Sequence, residues 1–195
     1  MKAKDITYRS SKVYKIPLNF MGCIFFLFLS LQSFSQANVY VLKAVYLEKF
    51  SRFVTWPEEY AMDDPTKPFI ISILGKTPLA DNLEQIYSIQ KINNKKVVIK
   101  RISELYEIEN SHILVIAETE KKNLQNILTV TRKLPVLTVS EAPSFAEKGV
   151  LINFYEENNK LRFEINETAV LQSPLQMSFY LLNSARIVNP IKNDE

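Results

Sequence analysis

The sequence predicts an α/β domain with a largely parallel central sheet, flanking helices and a C-terminal β-hairpin plus helix. Three observations carry that prediction. Short apolar runs alternate along the chain with segments of helical period. Gly75 and Pro78 mark one such junction as a strand-to-helix crossover. Beyond Gly149 the pattern changes to two alternating runs about a polar loop.

The first element is a helix over 39–55. Leu42, Val45, Tyr46, Phe50, Phe53 and Val54 fall at helical spacing, Lys43, Glu48, Lys49 and Arg52 take the other side, and Pro57 stops it. Asp64, Pro65 and Pro68 then make turn chemistry, and Phe69 to Leu74 is a buried strand ending at Gly75. Pro78 opens the next helix, lined by Leu79, Leu83, Ile86 and Tyr87. Asn93 and Asn94 turn into a second strand, Lys95 to Ile102, and Ile113 to Ala117 is a third. A helix over Glu120 to Thr131 turns Leu124, Ile127 and Leu128 inward, and a fourth strand follows at Pro135 to Val139. Val150 to Tyr155 and Lys160 to Asn166 form the hairpin, joined by a four-residue loop from Glu156 to Asn159. In its second strand Leu161, Phe163 and Ile165 alternate with Arg162, Glu164 and Asn166, so one face is core and the other meets solvent or a partner. A last helix over Ala169 to Ile187 carries Leu171, Leu175, Phe179 and Leu182, with a break or fresh start at Pro174.

Residues 1–35 read as a cleavable signal peptide. Lys2, Lys4, Arg9, Lys12 and Lys15 precede an apolar run from Phe20 to Leu31, and Ser33 to Ser35 form a small-residue cleavage site. The run is too short for a membrane-spanning helix, and Cys23 lies at the wrong end of it for lipid attachment. The exported part, 36–195, is expected as a single domain. It carries 19 basic against 20 acidic groups, so its net charge is near −1 and it offers no electrostatic case for binding nucleic acid. Its size supports a core of its own, and with Cys23 removed it has no thiol for an internal disulfide.

These residue types exclude much of catalysis. His112 is the only imidazole, so a nucleophilic serine would depend on a side chain at the mouth of an apolar strand, where a structural histidine is the simpler outcome. One histidine and no exported cysteine do not build a zinc site, and Asp63 and Asp64 beside prolines read as a solvated loop. Gly75-Lys76-Thr77 lacks the upstream glycine of a phosphate loop, and Gly75 serves a tight turn after the strand. The acidic pairs Glu58-Glu59 and Glu156-Glu157 are surface features rather than carboxylates set across a cleft. No cofactor, metal or enzymatic activity is expected. Phe53 and Trp56 at the end of the first helix are either core or an interface anchor.

The helix from Lys43 to Phe50 running into Trp56-Pro57, the strand Ile71 to Gly75, the stretch Val136 to Ser140, and Gly149 to Phe154 followed by Leu161 to Asn166 together resemble the YfiR-like family of exported bacterial proteins. The resemblance covers almost all of the exported chain. It implies a periplasmic, non-enzymatic regulator, often self-associating, that binds the sensor region of an inner-membrane diguanylate cyclase and so restrains cyclic di-GMP signalling and biofilm growth. A sensor kinase could take the cyclase's place, because fold does not fix the partner. Family members with cysteines couple to envelope redox state; this chain departs from them there, and redox control does not carry over. Phe53, Trp56, Arg162 and Glu164 are the expected contact residues, and the same aromatic positions could serve a homodimer face. The competing reading is a periplasmic small-molecule-binding module with a cleft at the strand ends near Gly75 and Ser140. A carboxylate-based envelope enzyme is a third.

Overall fold

The computed structural model describes residues 39–60, 62 and 64–189. The expected signal peptide, Asp63 and the extreme C-terminus lie outside them. Helix α1, residues 39–53, runs directly into a two-residue strand, β1 (Val54–Thr55), two residues before Pro57. Then follow β2 (Phe69–Leu74), α2 (Leu79–Tyr87), β3 (Lys91–Ile92), β4 (Lys95–Ile102), β5 (Ile113–Ile116), α3 (Leu124–Thr131), β6 (Leu137–Ser140) and α4 (Phe145–Lys148). The chain closes through β7 (Ile152–Glu157), β8 (Lys160–Asn166), α5 (Glu167–Leu171), β9 (Gln176–Met177), α6 (Phe179–Asn183) and β10 (Arg186–Val188).

Among these residues one mixed sheet has the order β10-β8-β7-β6-β5-β2-β4-β3. Strands β4, β2, β5, β6 and β7 are mutually parallel, which bears out the α/β expectation, and β7–β8 is the antiparallel C-terminal pair. Each central strand is buried along nearly its whole length, as parallel strands covered on both faces must be. The core divides about the sheet: Leu47, Phe50, Phe69, Ile71 and Phe154 pack in one cluster, and Leu74, Leu114, Ile116, Ile127 and Phe145 in another.

Several boundaries differ from the sequence reading for physical reasons. The hairpin loop is two residues, Asn158 and Asn159, both with positive φ (53° and 57°), so the strands extend through Glu157 and from Lys160. Consecutive asparagines tolerate this left-handed backbone and match the strand twist, and Asn93-Asn94 repeat the device before β4. Helix α3 starts at Leu124 rather than Glu120, because the preceding residues are wound into tighter three-residue turns, with the Lys121 and Asn123 amides donating to the Glu118 and Glu120 carbonyls. The final long helix is not formed. Its segment breaks into α5, β9, α6 and β10: Ser178 caps α6 by accepting the Leu181 amide, and β9 and β10 are claimed by pairing with β1 and β8. Leu171 and Phe179, counted among the apolar positions of that helix, are exposed.

Candidate interaction face

Helix α1 is apolar on two sides. Ala44, Leu47 and Phe50 face the sheet, where Phe50 meets Phe154 and Phe163 at ring-centroid distances of 5.7 and 5.0 Å and Tyr46 lies 5.5 Å from Phe163. On the opposite side Val41, Leu42, Val45 and Phe53 stand exposed, Phe53 at 40%. A surface helix normally turns a polar face to water; here four apolar side chains, 37–46% exposed, share that face with Lys49 and Arg52. The helix end is fixed in place: the Ser178 amide donates to the Phe53 carbonyl at 2.9 Å, and Val54 pairs with Met177.

Beside the stripe, a groove of about 600 Å³ runs between α1 and α6, bordered by Lys49, Arg52, Phe53 and Tyr180 with Phe163 within it. A second groove, of about 540 Å³, lies along β8 and β10 and holds Arg162 and Arg186. The two share Tyr46, Phe163 and Ser184, so Phe53 and Arg162 belong to adjoining parts of one surface.

The other two expected contact residues lie inside. Trp56 is 6% exposed, set edge-on to Phe69 at 6.1 Å and beside His112, and its indole N–H has no hydrogen-bond partner among the described residues. Glu164 is 4% exposed although alternation along β8 predicts it outward. It sits mid-row across three strands, opposite Asn153 on β7 and Arg186 on β10; Asn153 donates to one carboxylate oxygen at 3.2 Å and Arg186 Nε to the other at 3.1 Å. Arg186 also lies 3.9 Å over the Tyr155 ring. Arg162 remains at the surface and pairs with Glu157 at 3.0 Å. Nothing in the sequence marked β10 as a strand, and without β10 the burial of Glu164 is not visible.

His112 is structural in its contacts. Its Nδ1 accepts the Ile70 amide at 3.0 Å, its ring stacks on Phe69 at 4.6 Å, and Tyr60 meets it edge-on at 5.9 Å. Burial, with the nearby Lys95 ammonium, pushes its pKa down to about 4. Lys95 donates to the carbonyls of Asp64 and Lys67 and so holds the turn over this cluster.

At the other end of the sheet a cleft of about 590 Å³ opens where β2, β5 and β6 end. Lys76 and Thr77 follow β2, Glu118 and Thr119 follow β5, Glu141 follows β6, and Lys43 reaches in from α1; Val39, Phe154, Leu161 and Glu156 complete the walls. Glu141 binds the Lys43 ammonium through one oxygen and accepts the Thr77 hydroxyl through the other at 2.9 Å. Gly75, at φ +87°, makes the close approach here. A Cβ on it would lie 2.5 Å from Thr119 Oγ1, which accepts the Lys76 amide at 3.0 Å.

A family model described as YfiR/HmsC-like matches residues 40–186. The chain belongs to this YfiR/HmsC-like family. The match runs from the first turns of α1 into β10, so it takes in both the exposed stripe and the strand that buries Glu164. Members of the family are in general regulatory and non-catalytic. A comparison with curated proteins finds no match. Among the described residues no helix is long and apolar enough to cross a membrane.

Proposed function

We propose that the chain is exported, acts in the periplasm as a single domain over 36–195, and uses the outer face of α1 to bind the extracytoplasmic sensor region of a membrane diguanylate cyclase, holding it in its low-output state. The observation that supports this most is the unpartnered apolar stripe Val41, Leu42, Val45 and Phe53 on a helix whose inner face is already packed. Regulation then follows from preference: the protein shifts the cyclase only by as much as it binds one conformation of the sensor better than the other. Phe53 is the aromatic anchor and Arg162 a charge at the margin of the same surface. Trp56 and Glu164, being buried, act by holding the end of α1 and the β7–β8–β10 edge in position.

The test is crosslinking and affinity capture of the tagged protein in its native envelope, followed by mass spectrometry. Recovery of a membrane cyclase with the unaltered protein, reduced at least about tenfold for Phe53→Ala shown folded by its melting curve, is the expected result. Recovery of a sensor kinase would redirect the reading to another output. Capture of only a second copy of the chain would replace it with a homodimer face.

A further inference from the structure

The cleft at the strand ends lies where the winding of the sheet reverses. After β2 the chain crosses through α2 to β4 on one side; after β5 it crosses through α3 to β6 on the other. The loops leaving β2 and β5 therefore diverge, and open α/β sheets place ligands in the crevice that results. The contents of the cleft narrow the ligand class. Glu141 already holds an ammonium, that of Lys43, and a hydroxyl. Glu118 and Glu156 line the same space and form no ion pair with a described residue, against one such cation, Lys76. Once Lys43 and Glu141 cancel, negative charge is in excess, facing an apolar wall of Val39, Pro78 and Leu161.

We propose that this cleft binds a small organic amine, its ammonium taken by the carboxylates and its apolar body laid against that wall. The ligand's charge is that of the Lys43 side chain, so it competes with Lys43 for Glu141. Lys43 is on α1, and on the reading proposed above this competition ties occupancy of the cleft to the helix that carries the docking stripe.

Calorimetry on the exported protein tests this without any partner, so its result is independent of the regulator reading. The probes are n-butylamine, n-hexylamine and 2-phenylethylamine, each against the carboxylate of the same skeleton. Saturable one-to-one binding of amines and not of carboxylates is expected, weakened roughly tenfold in the Glu118→Gln/Glu156→Gln double variant, whose substitutions are at exposed positions. Lys43→Met, which removes the internal competitor, should tighten binding. The proposal is overturned by no saturable binding across the series, by equal binding of the carboxylates, or by full affinity in the double variant. Competition with Lys43 is overturned if Lys43→Met, shown folded by its melting curve, binds no more tightly.

Discussion

Helix α1 has two apolar faces with different consequences. The inner face, Ala44, Leu47 and Phe50, is closed by the aromatic rings of β7 and β8, and its removal leaves a hole in the core. The outer face, Val41, Leu42, Val45 and Phe53, is about as hydrophobic but meets water. Burial of the first is complete and stabilises the fold in full, whereas the second is only partly buried and keeps apolar surface that a partner would cover. Hydrophobicity alone does not tell the two apart; what does is which side the four rings Tyr46, Phe50, Phe154 and Phe163 occupy.

The largest expected effect is therefore on the inner face. Phe50→Ala deletes a ring that is 1% exposed and touches three other rings, and should cost about 3–5 kcal/mol in urea unfolding. The outer Phe53→Ala should cost less, about 1–2 kcal/mol, since 40% of its surface is already in water. Equal losses at the two positions would mean that the outer face is also packed, and the contrast on which the docking surface rests would fail.

The next effect concerns the interior below the helix end, where Trp56, Phe69 and Tyr60 surround His112. The folded protein holds this imidazole neutral down to about pH 4, whereas the unfolded chain protonates it near its ordinary value of 6.5. Between those values the unfolded state binds the extra proton, so stability present in full above pH 6.5 falls as pH drops towards 4. The loss is about 2 kcal/mol after allowance for solvent screening. His112→Asn keeps an acceptor for the Ile70 amide but cannot titrate, and it should flatten the profile in this window. Asp64, Glu84 and Glu107, whose carboxyl pKa values are drawn down, lose their contribution as pH falls through the ordinary carboxylate range and so overlap only the acid end of this window, which leaves its upper part to His112. An unchanged slope in the variant would show that His112 is not the group responsible.

Much of this was legible in the sequence. Continuous apolar runs located β2 and β5 to within a residue or so, the Asn93-Asn94 turn opened β4, Gly75 marked the turn its positive φ requires, and the periodicity of 39–53 identified α1 but not its faces, since Leu42, Val45 and Phe53 stand exposed and Lys43 is drawn inward to Glu141. The C-terminal segment was not legible, because Leu171, Leu175, Phe179 and Leu182 do fall at helical spacing. Pairing of β9 with β1 and of β10 with β8 overrides that local pattern, and such pairing depends on strands far away in the chain. The same blind spot hid the burial of Glu164. Trp56 was ambiguous for another reason, in that a tryptophan at a helix end is consistent with core and with interface until its neighbours are known.

The smallest expected effect separates two arginines of that edge that composition alone would treat alike. Arg186 neutralises a buried carboxylate, and its loss would leave Glu164 inside with only Asn153 to satisfy it. Arg162 pairs with Glu157, and both side chains are about half exposed. An ion pair in that setting is screened by water and salt and must also restrain two long side chains. Arg162→Ala should therefore shift stability by no more than about 0.5 kcal/mol. On the proposed docking surface its effect would belong instead to association, because a charge at the margin of an interface alters the rate of encounter and its salt dependence more than the lifetime of the complex. Stopped-flow or surface-binding kinetics against the captured sensor region, at low and high salt, would read this directly. A slower association that converges with the unaltered protein at high salt places Arg162 at the rim. A change confined to dissociation would move it into the centre of the contact and shift the interface from α1 towards the β8–β10 edge.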